Sequence, residues 1–447
     1  MVVRPKENVI TVTQLTILAF ATAFFPRTLD FVGAPSAINF LHFVAVPIAC
    51  IFSLVNCRTR NKNQLETIKL LIVGLFILFT IILISALVNQ AGAINAAISF
   101  MLLGEPYLLI ITIVALSLSP EKLAYFKKWL YRFFFSHIVF VFVQKYVLKV
   151  DTWEHLGMVG PDRIQGVFLI SGAGHVVGSS VSLTFALYYF FNAKKCPLWL
   201  KIIILMAAVW NIILADGKQV LLSFMVAMIL LFLIKLNDFV AAIKYIFGGA
   251  VIGTIFWWCI ENLSAFSGFK TWIRPEIYGP NGEATLLKTA AFRIIPTYYE
   301  SILNWLFGLG PGHTIGRLGG WMLRDYVDLL SPLGSTVHIA TKAVWRAVGQ
   351  SWLGDQSSMF SPLFGWAGIW GDLGILGLAA YLYLAYIVWR YACKDDLSRF
   401  FLLTILVFGC IFSQMEEPGY MLSVACIIGI QYKEYSIGKN QIKNDID

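Results

Sequence analysis

Apolar runs of nearly twenty residues recur from Ile10 to Ile430, and short polar stretches separate them. A helix of about that length spans the hydrocarbon of a bilayer. The runs are helical in length and lack the alternation of barrel strands, so the backbone would be satisfied within each segment. The pattern predicts twelve spans at roughly 9–25, 36–56, 68–89, 93–117, 128–147, 166–192, 198–214, 218–235, 240–262, 362–390, 398–415 and 418–432. The fourth holds "LLGEPYLL", and a kink is expected at Pro106. The fold class read from this pattern is all-α, a polytopic transmembrane bundle.

The polar stretches orient the bundle. "CRTRNKNQ" at 57–64, "PEKLAYFKKWLYR" at 120–132, "NAKKCPLWLK" at 192–201, "KLNDF", "RYACKDDLSR" and the tail "KEYSIGKNQIK" are rich in Lys and Arg. Cytoplasmic loops carry that excess. With twelve spans all of them fall on one side, together with both termini. "MVVRPKENVI" leads into the first run without an A-x-A site, which reads as a retained signal anchor.

Three features then face outward: the loop 148–165, the tight hairpin "LADGKQ" at 214–219 and a segment of about ninety-nine residues at 263–361. A structureless loop of that size would be unusual. Helical patterning around "LLKTAAFRIIPTYYESILNWLFG" and turn signals at "RPEIYGPNGE" predict a small, mostly helical cap. The chain divides into spans one to nine (1–262), the outer segment (263–361), and spans ten to twelve with a cytoplasmic tail (362–447).

Composition agrees with this picture. Charged residues make up 13% and the mean hydropathy is +0.75, whereas soluble domains carry about 25% charge. The net charge of +9 reflects topology, and its short basic loops do not suggest a nucleic-acid partner. The seven cysteines lie in spans or at their ends, with neither a disulfide framework nor zinc spacing. Most tryptophans around the outer segment fit an interfacial belt, and sugar rings also stack on such faces.

Basic residues on the outer face need a reason. Arg163 precedes the sixth span, Lys218 sits at the tip of the hairpin, and Arg293, Arg317, Arg324 and Arg346 lie in the long segment with Lys270, Arg274, Lys288 and Lys342. A guanidinium is a planar fork of donors suited to phosphate oxygens. Several such groups could gather around one diphosphate; alternatively they pair with Asp151, Glu154, Asp162, Asp216 and the loop acids. Of the six histidines, His313 and His338 lie in the outer segment and could activate a hydroxyl near neutral pH. Asp355 and the pair Glu416 and Glu417 in "MEEPGY" are alternative bases. Paired carboxylates there could share a proton; the alternative is a solvated turn capped by Pro418. Glu105 would sit near mid-membrane, where a carboxylate marks function or bonds the backbone freed by Pro106.

In "RIQGVFLISGAG" ten residues separate Arg163 from Gly174. This Arg-x10-Gly spacing, the basic outer hairpin after the seventh span and the long segment running to "GDLGILGL" resemble the O-antigen polymerase and ligase superfamily, over roughly 160–390. In that family an arginine-bearing helix runs into a glycine turn; here Arg293 would begin the helix and "FGLGPG" end it. Lys218 stands where the family commonly has arginine, and fourteen residues separate Arg293 from Gly308. The His-Asn pair of ligases before the tenth span is absent, which favours a polymerase.

The resemblance implies a metal-independent glycosyltransferase of the bacterial inner membrane, without a cofactor. Its donor would be an undecaprenyl-diphosphate-linked glycan, and its acceptor a hydroxyl on a second lipid-linked unit. It also implies a chain-length regulator as partner. Arg163, Lys218, Arg293 and, more weakly, Arg317 would bind the diphosphate. His313, His338 and Asp355 would serve the acceptor. A ligase, a transporter or flippase, and a structural subunit of an export complex are the other readings.

Overall fold

The computed structural model describes residues 10–444, except 60, 157, 170–172, 236–238 and 357. Among them, helices dominate and no strand occurs. Among the described residues twelve helices have thirteen residues or more: α1 (Val12–Phe24), α2 (His42–Val55), α3 (Lys62–Val88), α4 (Ala93–Ala115), α5 (Pro120–Phe142), α6 (Gly174–Asn192), α7 (Leu198–Leu214), α8 (Lys218–Ile234), α9 (Phe239–Asn262), α10 (Gly365–Ile387), α11 (Asp396–Phe408) and α12 (Pro418–Asn444). Each overlaps one expected span. By length and composition, four helical stretches of the described residues suffice to cross a membrane: Ser36–Val55, Lys62–Val88, Ala93–Ala115 and Ser358–Ala392. Shorter apolar helices include α1, α7 and α8.

Polar residues set the helix starts. Thr11 and Gln14 form a capping box at α1, Asn61 caps α3, Ser119 followed by Pro120 opens α5, and Asp395 caps α11. Each supplies an acceptor to N–H groups that have no partner within the helix. α4 is the hub, contacting α2, α3 and α12. It is 78% buried over its most apolar window, against 39% for α3. A helix that is apolar all round belongs inside, and one with a bare apolar face belongs against lipid. Phe76 and Leu87 of α3 are accordingly exposed.

The segment 263–361 is built from short helices, including Glu283–Lys288, Ala290–Ile294, Ile302–Phe307 and Ile339–Gly349. The single helix expected from Arg293 to "FGLGPG" does not form. Pro296 lies in a separate 3-10 turn, Ile295–Tyr298, and a new helix begins after Ser301; the ring of proline removes an N–H and clashes with the preceding turn. Lys288 ties this segment to the bundle, its Nζ donating to the carbonyls of Met359 (3.0 Å), Ser361 (3.1 Å) and Ile411 (2.8 Å).

The glycine-rich stretch from Gly308 is a strap laid on α10. At Gly374 α10 breaks, with φ +67° and ψ −164°. The break frees carbonyls, and the strap uses them: Leu309 N–H donates to Gly371 O (2.9 Å) and Gly310 N–H to Asp372 O (3.0 Å). Ser85 of α3 donates to Phe307 O and Asp372 O at 2.6 and 2.9 Å. The buried Asp372 carboxylate then accepts from Gly312 N, Thr314 N and Thr314 Oγ1 at 2.8, 2.8 and 2.6 Å. At Gly308 φ is +72°, and a Cβ there would lie 2.3 Å from Asp372 C. The element that approaches the main chain at these glycines is α10.

Asp372→Ala would strand three buried donors, at about 1–3 kcal/mol each. Gly308→Ala adds a clash and an unfavourable φ. Both variants should unfold at distinctly lower temperature than the parent in detergent, as followed by circular dichroism; an unchanged melting temperature would show that the strap is held elsewhere.

Candidate functional site

The strap carries one cation to the bundle. Beyond Thr314 it crosses α10 so closely that a Cβ on Gly368 would lie 2.5 Å from Gly316 Cα. The next residue, Arg317, is buried. Its backbone N–H donates to Glu416 Oε2 at 2.9 Å, and its Nε lies 3.0 Å from Glu417 Oε1. Its Nη1 reaches only the Met322 sulfur, at 3.9 Å. Among the described residues, the terminal nitrogens have no oxygen acceptor. Glu417 thus pairs with the guanidinium by charge, with no hydrogen bond formed at Nε, and leaves the terminal nitrogens open.

Arg317 lines a small cavity of about 40 Å³. Its other polar lining comes from Arg27 in the short helix Pro26–Phe31, Asn39, His42 at the start of α2, Tyr326 and Glu417. Phe168 and Val177 close one wall. The Arg27 guanidinium lies 5.8 Å from the Tyr326 ring centroid. Behind the cavity, His42 Nδ1 meets Glu105 Oε2 and Oε1 at 2.8 and 2.9 Å, both side chains being buried.

Two expectations change here. Glu105 does not serve the backbone freed by Pro106; its carboxylate pairs with His42, because α2 packs on α4. Glu416 and Glu417 do not form a solvated turn: they are 6% and 4% exposed. Burial pushes the Glu416 carboxyl up to about 8; the Arg317 N–H and charge oppose this, and Asp372 and Glu417 add to it. Its Oε1 has no hydrogen-bond partner among the described residues, which suits a proton on that oxygen at neutral pH.

The other sequence candidates sit elsewhere. Arg163 is buried, its Nη1 donating to Asp151 O at 2.9 Å, while the Asp151 carboxylate takes Lys145 at 2.7 Å. Lys218 pairs with Asp216. Asp162 lies near both of these and 3.8 Å from His175, and burial raises its pKa. Arg163 and Lys218 therefore belong to a second polar patch, where the pairing with neighbouring groups is partly realised. Arg293 is exposed, its guanidinium donating to Leu286 O at 2.5 Å and Thr289 Oγ1 at 3.3 Å. Both nitrogens of His313 are occupied, Nδ1 by Leu309 O and Nε2 by Thr336 Oγ1, each at 2.8 Å. His338 Nδ1 accepts from Ala340 N and caps the helix Ile339–Gly349. Burial lowers the pKa of both histidines. The side chain of Asp355 lies outside the described residues.

Of the six candidates with described side chains, Arg317 alone lines this cavity. Arg27 and His42 were missed. Arg27 was within reach of the rule that flagged Arg163, since it is an arginine between the first two expected spans, on the side the sequence pattern assigns to the outer face. His42 carried no such signal, because its partner is 63 residues away.

The Glu416 carboxyl gives a pH test. Its folded pKa of about 8 lies above the ordinary 4.5, so the fold is favoured below the unfolded pKa and loses that advantage as pH rises to about 8. The loss should be a few kcal/mol, at about 1.4 per unit. Stability of the detergent-solubilised protein should fall between pH 5 and about 8, and Glu416→Gln should flatten the curve. A variant that keeps the parent slope would assign it to another group.

No protein-family model matches this chain, and no curated protein matches it.

Proposed function

We propose that this protein is a polytopic membrane glycosyltransferase that extends lipid-linked polysaccharide. The twelve helices would span the bacterial inner membrane with both termini in the cytoplasm, and the segment 263–361 would cap the outer face. The donor is a glycan on undecaprenyl diphosphate, and the acceptor is a hydroxyl of a second lipid-linked unit. The sugar–phosphate bond already stores the energy of transfer.

The observation that carries this reading is Arg317, charge-paired with Glu417 at Nε and with its terminal nitrogens open, in a cavity shared with Arg27. An oriented guanidinium binds two phosphate oxygens at once. Placed where negative charge grows on the leaving diphosphate, it stabilises the transition state. The cavity is lined from the ends of α1, α2, α6 and α12, which in the twelve-span arrangement all lie at the outer surface. The sequence pattern at Arg163, Lys218 and 371–378 adds the resemblance to polymerases. Arg163 and Lys218, in their own patch, would then bind a more distant part of the glycan or the second lipid.

The purified protein, reconstituted with lipid-linked repeats from its host, should yield longer products. Arg317→Gln should lower kcat/KM about 100-fold or more, a range measured for one lost electrostatic donor. Arg293→Gln, on the exposed surface, should change it less than threefold. Equal losses in both variants, or no elongation by the parent, would remove this reading.

A further inference from the structure

The cavity holds a pair that nothing above uses. His42 lines it. Its Nδ1 lies within 2.9 Å of both Glu105 oxygens. Among the described residues Nε2 has no hydrogen-bond partner. A carboxylate accepts, so Nδ1 carries the hydrogen, and in the neutral ring Nε2 presents a lone pair. The ring is held edge-on by Phe43, with centroids 4.2 Å apart. A buried carboxylate that orients an imidazole and steadies the imidazolium is the arrangement that makes histidine an effective base. By contrast, His313 has both nitrogens engaged and His338 is spent on a helix cap.

We propose that His42 is the general base of the transfer and that Glu105 is its positioning residue; this rests on the polyprenyl-diphosphate reading. The acceptor hydroxyl gives its proton to His42 Nε2. Its oxygen forms the new bond to the anomeric carbon as the carbon–oxygen bond to phosphate breaks. The electron pair of that bond leaves on the diphosphate, which Arg317 holds. Glu105 balances the imidazolium until the proton passes to the departing diphosphate. The charged groups facing His42 are Glu105 from α4, Arg27 from the helix after α1, Arg317 from the strap, and Glu417 from the turn before α12. The helix α1 presents no ionisable group. Nucleophile activation and leaving-group stabilisation are thus supplied from different elements of one cavity. That division suits an acceptor entering beside the donor.

The test separates binding from chemistry. Binding of undecaprenyl diphosphate and turnover of the host's lipid-linked repeats are measured for the full-length protein in vesicles. His42→Gln should bind undecaprenyl diphosphate within about twofold of the parent and lose about 100-fold or more in kcat, the usual worth of a general base. Glu105→Gln should bind equally well and lose on the order of 10²- to 10⁴-fold in kcat, since the amide neither fixes the tautomer nor balances the imidazolium. Added imidazole should restore part of the turnover of His42→Gly, which a packing role would not allow. His42→Gln with kcat within threefold of the parent, or folded His42→Gly that imidazole leaves unchanged, overturns the assignment. Should the His42 variants fail to fold, Glu105→Gln with unaltered kcat overturns it. A parent that neither binds undecaprenyl diphosphate nor elongates removes the reading beneath it instead.

Discussion

The structure depends on one buried carboxylate. Asp372 sits beside the break in α10 and gathers the donors of Gly312 and Thr314, while the carbonyls freed by the break take those of Leu309 and Gly310. An irregular backbone segment inside an apolar bundle needs such partners, because no water is there to supply them. Everything carried by the strap is placed by that arrangement, Arg317 above all. Three left-handed glycines in alternate positions, Gly308, Gly310 and Gly312, let the strap lie close enough for the bonds to form.

The cavity shows what this placement achieves. A guanidinium from the strap shares the cavity with one from the short helix that follows α1 and an imidazole from the start of α2. The two glutamates below Arg317 differ in role. Glu417 pairs with the side chain, and Glu416 takes the backbone N–H and is driven by burial toward the neutral form. Two carboxylates beside one arginine would otherwise leave an excess of negative charge at the place proposed for a diphosphate. One neutral carboxyl removes part of that conflict.

The second polar patch, with Arg163, Asp162, His175, Asp216 and Lys218, lies on elements that also flank the cavity, since α6 contributes Val177 to its wall. Lys218 there pairs with Asp216, whereas Arg163 donates to a backbone carbonyl and its Nε has no hydrogen-bond partner among the described residues.

The sequence by itself determined the helices and much of the order of the elements. A run of apolar residues bounded by Asn, Ser, Thr or Asp is a helix wherever it lies, because the hydrogen bonds and caps are local. It also marked Arg317, "GDLG" and the glycines as unusual. The tertiary structure decided which of the marked residues meet. Arg293 and Arg317 look alike in sequence, yet one is exposed and the other lines a cavity. His42 and Glu105 join across 63 residues, and Arg317 and Glu417 across one hundred. Such pairs arise from how helices pack and where α10 breaks. Those are sums of many weak contacts over the whole bundle, and no local pattern records them.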